Sequence, residues 1–230
     1  MIDIFERLAP SYGRIVRKLA LDTWYDRANV DEFFRKADFF RRRYELELAG
    51  YFSDAGYRYN PRRIKDLSRR WLQDQILIPR KLVTLADMRK GKLLELKEMN
   101  EDQRAEVLQL MQGAKVVTEG KVSPVVSFAD NLSARAVQIG EDAAFDLGRE
   151  LNSDTVQQNS DVYRWNTQED KQVRHTHRIL ARKLFSYRSP PTTIDKYGRK
   201  HTGNCGTDWG CRCWETPDSG KPLLNFIARE

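Results

Sequence analysis

Apolar side chains recur at steps of three and four along most of the first 150 residues, and this spacing constrains the fold more than any other feature of the sequence. The clearest stripe follows Asn29 and consists of Phe33, Ala37, Phe40, Tyr44, Leu48 and Phe52. This period places the stripe on one face of an α-helix. The side expected to face solvent carries Arg35, Arg41, Arg42 and Glu45. Gly56 is expected to cap the helix at its C-terminal end.

Further helices are predicted on both sides of residue 100. A helix over residues 61–78 has the inner stripe Ile64, Leu67, Trp71 and either Gln75 or Ile76, and Pro79 is expected to interrupt or kink it. Asn100 and Gln103 have the spacing of a capping box. Ser123-Pro124 is typical of a helix start. The stripe after it is Val125, Phe128, Leu132, Ala136, Ile139, Ala143 and Leu147. We interpret these stripes as core or helix-packing faces rather than ligand sites.

The composition changes after Leu151. Residues 152–161 are polar without a helical period and predict a loop. Residues 162–167 and 179–187 favour two strands, and Pro190-Pro191 and several glycines break the chain after them. The sequence therefore predicts an α+β fold, mainly an α-helical arm over residues 1–122, a connecting helix over 123–151, and a small loop-rich α+β module over 152–230.

The net charge of +7 is concentrated in one part of the chain. Residues 58–97 contain twelve cations and four anions, a balance of +8, whereas residues 101–150 contain nine acids and five bases, a balance of −4. The cations of this stretch include Arg58, Arg62, Arg63, Lys65, Arg69, Arg70, Arg80 and Lys81. The asymmetry predicts a surface for nucleic acid or an acidic partner. A solvated helix face without a partner is the alternative interpretation.

No run of residues reaches the length of about 18 consecutive apolar side chains that a membrane helix needs, and the N-terminus lacks the order of a signal peptide. The three cysteines lie within nine positions near the C-terminus. Because an odd, clustered set is not typical of a secreted disulfide framework, we expect a reducing compartment.

Cys205, Cys211 and Cys213 are candidate thiolate ligands of a Zn²⁺ ion. The fourth ligand is expected to be a histidine, His177 in the first place, with His175 and His201 as alternatives. A small glycine-rich module gains much stability from such a site. Two other interpretations stay open, buried cysteines without metal and a disulfide.

An ordered set of residues runs through the C-terminal module. It comprises Trp165-Asn166-Thr167, Asp170, Val173-Arg174, His177, Leu180, Leu184-Phe185, Pro190-Pro191 and Gly210-Cys211-Arg212-Cys213. This succession resembles the C-terminal motif of the Mu F-like family of phage head morphogenesis proteins. The resemblance covers residues 162–216, extends weakly over 123–150, and does not include residues 1–100. Arg182 stands where family members commonly carry a glycine in a tight turn.

The resemblance implies a minor head protein without enzymatic activity, present inside the virion after assembly in the host cytoplasm. The implied partners are the portal protein, the major capsid or scaffold protein and packaged double-stranded DNA, with no membrane in the assembled head. The implied roles are capsid assembly and DNA packaging or ejection. The alternative from the residues themselves is a metal-dependent nuclease that uses Asp170, His175 and His177 around a cation.

Several motif residues are expected to be structural. Arg174 and Arg212 are interpreted as internal clamps on loop carbonyls or on Asp170, with contact to DNA or to the portal as the alternative. Trp165 is expected in the core of the module or as an anchor for a partner. His177 has a second interpretation as a hydrogen-bonded histidine that holds its loop.

Overall fold

Long helices occupy most of the chain before residue 160, and short strands follow. The computed structural model describes residues 2–98, 100–101, 124–169, 173–195, 197–207, 211 and 213–229. Its helices are α1 (Ile2–Trp24), α2 (Val30–Asp54), α3 (Pro61–Asp74), α4 (Leu77–Glu98), α5 (Pro124–Asn159) and α6 (His175–Leu180). Its strands are β1 (Val162–Thr167), β2 (Leu184–Ser186), β3 (Thr192–Ile194), β4 (Lys200–Thr202), β5 (Cys213–Asp218) and β6 (Ile227–Arg229). The α+β prediction is confirmed. The described helices include none that is long and apolar enough to cross a membrane.

The predicted stripe of α2 is confirmed, because all six of its apolar residues are buried. The helix begins after Asn29, whose Oδ1 accepts a hydrogen bond from the Glu32 backbone N–H at 2.8 Å. It ends at Asp54, and Gly56 follows with a φ of +70°. Since that left-handed conformation favours glycine, Gly56 ends the helix as predicted.

Arg41 is an exception to the predicted solvent side of α2. Its side chain is buried, forms an ion pair with Glu45 and donates a hydrogen bond to the Ser68 hydroxyl at 3.1 Å. The prediction for Arg41 was wrong because α3 covers this part of α2 and supplies the polar partner. A buried guanidinium is tolerated where its donors are satisfied in this way.

The chain breaks before Pro79 rather than at it. Helix α3 ends at Asp74, and Pro79 lies in the first turn of α4, where its missing N–H removes no helical hydrogen bond. Gln75 is the buried member of the predicted Gln75 or Ile76 pair, and its side chain accepts a hydrogen bond from the Tyr12 hydroxyl at 2.9 Å. The predicted capping box includes Gln103, which lies outside the described residues.

Helix α5 begins at Pro124 and continues through the segment predicted as a loop. The loop prediction was wrong for residues 152–159, which are helical because the buried side of the last turns is polar, whereas residues 160 and 161 lie outside the helix. Asn152 Nδ2 donates to the Glu215 carbonyl at 2.9 Å, and the Thr155 hydroxyl donates to the Leu151 carbonyl at 2.9 Å. Leu132, Ala136 and Leu147 of the predicted stripe are buried, whereas the side chains of Val125 and Phe128 lie outside the described part.

The strands form two sheets of three. Antiparallel pairing gives the order β2-β1-β5 in the first sheet, and the second has the order β4-β3-β6 with β6 parallel to β3. In the first sheet Trp165 lies opposite Glu215, and Thr167 lies opposite Cys213. This register places the predicted motif residues of β1 beside the end of the chain that carries the cysteines.

The second predicted strand, residues 179–187, is only partly a strand. The chain is helical to Leu180 and turns before β2 begins at Leu184. Arg182 has a φ of +65° in this turn, and its N–H donates to the Trp165 carbonyl at 2.7 Å. Residues 179–183 have β propensity, but the chain pairs with β1 as a strand only from Leu184 onwards. The contacts of the folded chain, rather than local propensity, therefore determine the structure of residues 179–183. The conformation agrees with a turn position where a glycine is commonly found.

The chain divides into two units, each built from several separate segments. The first consists of Met1–Ala9, Phe39–Gln73 and Asp142–Glu230, and the second of Pro10–Asp38 and Asp74–Glu141. The first unit holds both sheets and an aromatic cluster in which Phe5 stacks on Tyr44 and meets Phe145 edge to face. In the second unit Gly13 and Gly140 let α1 and α5 approach closely, since a Cβ on Gly140 would lie 2.8 Å from the Gly13 Cα.

Candidate metal centre

Residues from distant parts of the C-terminal module meet in one buried cluster. His177 lies on α6, Cys211 lies just before β5, and Cys213 is the first residue of β5. All three side chains are buried, and their ligand atoms lie within 4.8 Å of one another. Two soft sulfur donors and one imidazole are a ligand set that suits Zn²⁺. This cluster offers three ligands to one metal ion.

The distances within the cluster fit a tetrahedral zinc ion. His177 Nδ1 lies 3.4 Å from the Cys211 sulfur and 3.5 Å from the Cys213 sulfur. With Zn–S near 2.3 Å and Zn–N near 2.0 Å, a tetrahedral ion separates nitrogen and sulfur by about 3.5 Å. These two distances from the His177 nitrogen therefore match those in a tetrahedral zinc site.

Trp165 lies against the histidine of the cluster. Its ring meets the His177 ring edge to face, with the centroids 5.5 Å apart. The buried indole N–H forms no hydrogen bond of normal geometry with the described residues, and it interacts weakly with the Cys213 thiol. A thiolate at Cys213 would be a better acceptor for this N–H than a neutral thiol. This buried donor would favour the thiolate form of Cys213, which is the form that binds a metal ion.

Cys205 is buried beside the other cysteines, in the turn after β4. Its thiol hydrogen bonds with Cys213, but it is not among the three residues whose ligand atoms all lie within 4.8 Å of one another. The three cysteines are free thiols. Cys205 is therefore the nearest further thiol for the fourth ligand position, and it must shift towards the ion to bind it.

The cysteine thiols have raised pKa values. Burial raises the pKa of Cys205 to about 12, against the positive charge of Arg149, which lowers it. Hydrogen bonding with Cys213 and burial raise the pKa of Cys211, and a hydrogen bond with Cys205 is the main cause of the rise in the pKa of Cys213. Without metal the thiols are thus protonated at neutral pH. Metal binding releases these protons, so metal affinity should fall as the pH falls.

The structure selects His177 among the three candidate histidines. The side chain of His175 is exposed, and His201 lies 3.4 Å from the Thr207 hydroxyl. Only His177 contributes to the cluster with the cysteines among the described residues. The nuclease alternative needs His175, His177 and Asp170 around one cation. His175 is exposed whereas His177 is buried, and Asp170 lies outside the described residues. The nuclease alternative therefore stays a prediction.

The described residues do not test the predicted clamp roles of Arg174 and Arg212. Arg174 precedes α6 and its side chain is exposed, and Arg212 and Asp170 lie outside the described residues. The clamp roles of these residues stay predictions.

Arg149 of α5, which the sequence did not single out, is buried, forms an ion pair with Asp146 and donates a hydrogen bond to the Cys211 carbonyl. In the sequence Arg149 stands beside Glu150 between Leu147 and Leu151, and charged residues in such a position are usually solvated.

A second buried acid-base feature lies on the same face of β5 as Cys213. Glu215 is 1% exposed and accepts hydrogen bonds from the Tyr187 hydroxyl and, at 3.4 Å, from the Ser153 hydroxyl. Burial raises the pKa of Glu215 to about 7, and the two hydroxyl donors oppose this rise. This carboxyl is protonated over part of the physiological range.

The predicted basic surface is exposed. Arg62, Lys65 and Arg69 lie on the side of α3 opposite to its buried residues Ile64, Leu67, Ser68 and Trp71, and they form no ion pair with the described residues. Arg63 pairs with Asp154, and Arg70 lies 3.7 Å from Glu150. Arg58, Arg80 and Lys81 are also exposed. The cations Arg62, Lys65 and Arg69 are called the α3 face below.

Comparisons with protein-family models, with curated proteins and with solved structures give no match to this chain.

Proposed function

We propose that this chain is a phage minor head protein of the Mu F-like family, a non-enzymatic component that associates with the portal inside the head. One observation carries the proposal. Trp165, His177, Cys211 and Cys213 belong to a motif spread over some fifty residues, and the fold gathers them into one buried cluster. A motif that converges in this way defines a module with a specific core, which is what the family resemblance requires.

The cluster is proposed as a structural zinc site rather than an active site. Its ligands are Cys211, Cys213 and His177, with Cys205 as the fourth ligand that closes the tetrahedron. A closed site without an open position has no place for a substrate or an activated water. The module buries few large apolar side chains, and a metal ion offsets this small core by linking α6 to β5.

The experiment for the proposed function is assembly with the portal. We expect the protein to co-purify with the portal protein of the same genome when the two are co-expressed, and to be present in few copies in purified heads. Heads that form, fill with DNA and eject it normally after deletion of the gene would contradict the proposal. Plasmid DNA incubated with the protein and Mg²⁺, Mn²⁺ or Zn²⁺ should stay intact, and cleavage would instead favour the nuclease.

The α3 face is proposed as a contact for the phosphate backbone of packaged DNA. Three exposed cations on one side of a helix attract a polyanion without reading its sequence. Replacing Arg62, Lys65 and Arg69 with glutamine should weaken binding to double-stranded DNA by about 10–100-fold. The number of counterions released on binding, measured from the slope of log affinity against log salt concentration, should fall by about two to three.

The matched control for the α3 face replaces three exposed arginines outside the basic stretch with glutamine. These are Arg14, Arg35 and Arg188. This control removes the same charge and should retain most of the affinity. Equal losses in the two variants would mean that net charge alone attracts DNA and that α3 is not the contact. Binding is measured by fluorescence anisotropy over a series of salt concentrations.

A further inference from the structure

Arg149 contacts the chain at two places near the cysteines, at Gly206 and at Cys211. Its guanidinium donates a hydrogen bond to the carbonyl of Cys211. The aliphatic part of the same side chain lies over Gly206, where a Cβ would be 3.1 Å from the Arg149 Cδ. Gly206 has a φ of +83°, so the turn after Cys205 needs glycine both for its backbone and for the space that Arg149 occupies.

The burial of this arginine needs an explanation beyond the hydrogen bond to Cys211. The Arg149 side chain is only 7% exposed, and its Nε has no hydrogen-bond partner among the described residues. Its ion pair is with Asp146, a residue whose own side chain is half exposed. A buried guanidinium with an incomplete set of partners is costly unless it balances a buried negative charge.

The proposed metal site supplies that charge. A zinc ion with three thiolates and one neutral imidazole has a net charge of −1. Arg149, Cys205 and Gly206 all line a cleft of about 470 Å³. Arg149 therefore places one positive charge on the same cleft wall as Cys205. The described part of this wall places no other buried cation beside the cysteines.

We propose that Arg149 is a positioning residue of the proposed metal site, which holds the turn at Cys205 against the backbone at Cys211 and balances the charge of the three thiolates. The inference rests on the proposed zinc site and adds a residue that does not touch the metal. Without Arg149 the Cys205 turn is free to move away, and the ion keeps only Cys211, Cys213 and His177.

The test measures metal affinity and ligand number in Arg149→Met and Arg149→Lys. Loss of a residue that orients metal ligands typically lowers affinity by about 10–100-fold. We expect Arg149→Met to weaken zinc binding by that amount, and Arg149→Lys, which keeps the charge, to recover part of the loss. With Co²⁺ in place of zinc, the thiolate-to-cobalt charge-transfer absorption of Arg149→Met should fall towards that of Cys205→Ser.

The matched control is Arg164→Met. Arg164 is also an ion-paired arginine of this module, but its partners are Asp218 and the Arg182 carbonyl rather than the backbone at Cys211. It should keep wild-type zinc affinity and cobalt absorption. Wild-type spectra and affinity in both Arg149 variants would overturn the inference and leave the zinc site intact. If the wild type itself binds neither ion, the proposed zinc site fails instead. If Arg149→Met does not fold, Arg149→Lys and Asp146→Asn, which releases the guanidinium, carry the same spectroscopic test.

Discussion

Replacement of Cys213 by serine is expected to abolish high-affinity zinc binding and to lower the free energy of unfolding by about 4 kcal/mol in buffer that holds free zinc near 1,000 times the wild-type Kd. Cys213 is the central thiol of the cluster, since it contacts Cys205, Cys211 and His177. Serine keeps the shape of the side chain but does not supply a thiolate. The measurement is urea unfolding followed by tryptophan fluorescence.

The control for this prediction is the same pair of proteins in a strong chelator. Without metal, the wild type and Cys213→Ser should differ by no more than about 1 kcal/mol, because only a weak thiol hydrogen bond is exchanged for a hydroxyl one. A difference of about 4 kcal/mol that persists in the chelator would show that Cys213 acts through packing and not through a metal ion.

Glu215→Gln is expected to remove most of the pH dependence of stability in the metal-free protein between pH 4.5 and 7. The pKa of Glu215 is raised from 4.5 in the unfolded chain to about 7 in the folded one, because the carboxyl is buried. The folded state therefore binds the proton more tightly. Its contribution to stability is complete below pH 4.5 and is lost as the pH rises through 7.

The size of this effect follows from the shift. A difference of about 2.5 pKa units corresponds to about 3 kcal/mol, which the wild type loses between these pH values. Glutamine stays neutral and still accepts the Tyr187 hydrogen bond, so the variant should be more stable than the wild type by about 2–3 kcal/mol at pH 8. Glu169→Gln, at an exposed acid, serves as the control and should keep the wild-type slope. Equal slopes in Glu215→Gln and the wild type would mean that Glu215 ionises freely in the folded protein.

The sequence was sufficient for the buried face of α2 and for three residues of the candidate metal centre. The stripe of α2 is a local pattern, and local patterns determine helical faces well. Cys211, Cys213 and His177 were predicted as metal ligands from residue type, and the fold brings them together.

The predictions from the sequence were wrong where polar or charged side chains are buried. Residues 152–159 continue α5 although they lack an apolar stripe, because Asn152 and Thr155 find hydrogen-bond partners in the folded chain. Arg41 and Arg149 were missed for the same reason. A charge in a helix is normally solvated, and only the folded chain shows that Arg41 and Arg149 are buried and donate hydrogen bonds to Ser68 and Cys211 of other segments.

We propose that the C-terminal module is a structural unit held by a metal ion. The most direct measurement is the metal content of the purified protein, by elemental analysis, together with its melting temperature with and without a strong chelator. We expect about one zinc ion per chain and a melting temperature that falls by about 8–16 °C when the metal is removed, since a loss of about 4 kcal/mol shifts the melting temperature by about 2–4 °C per kcal/mol in chains of this size. A protein that contains no metal and melts at the same temperature with or without the chelator would contradict it.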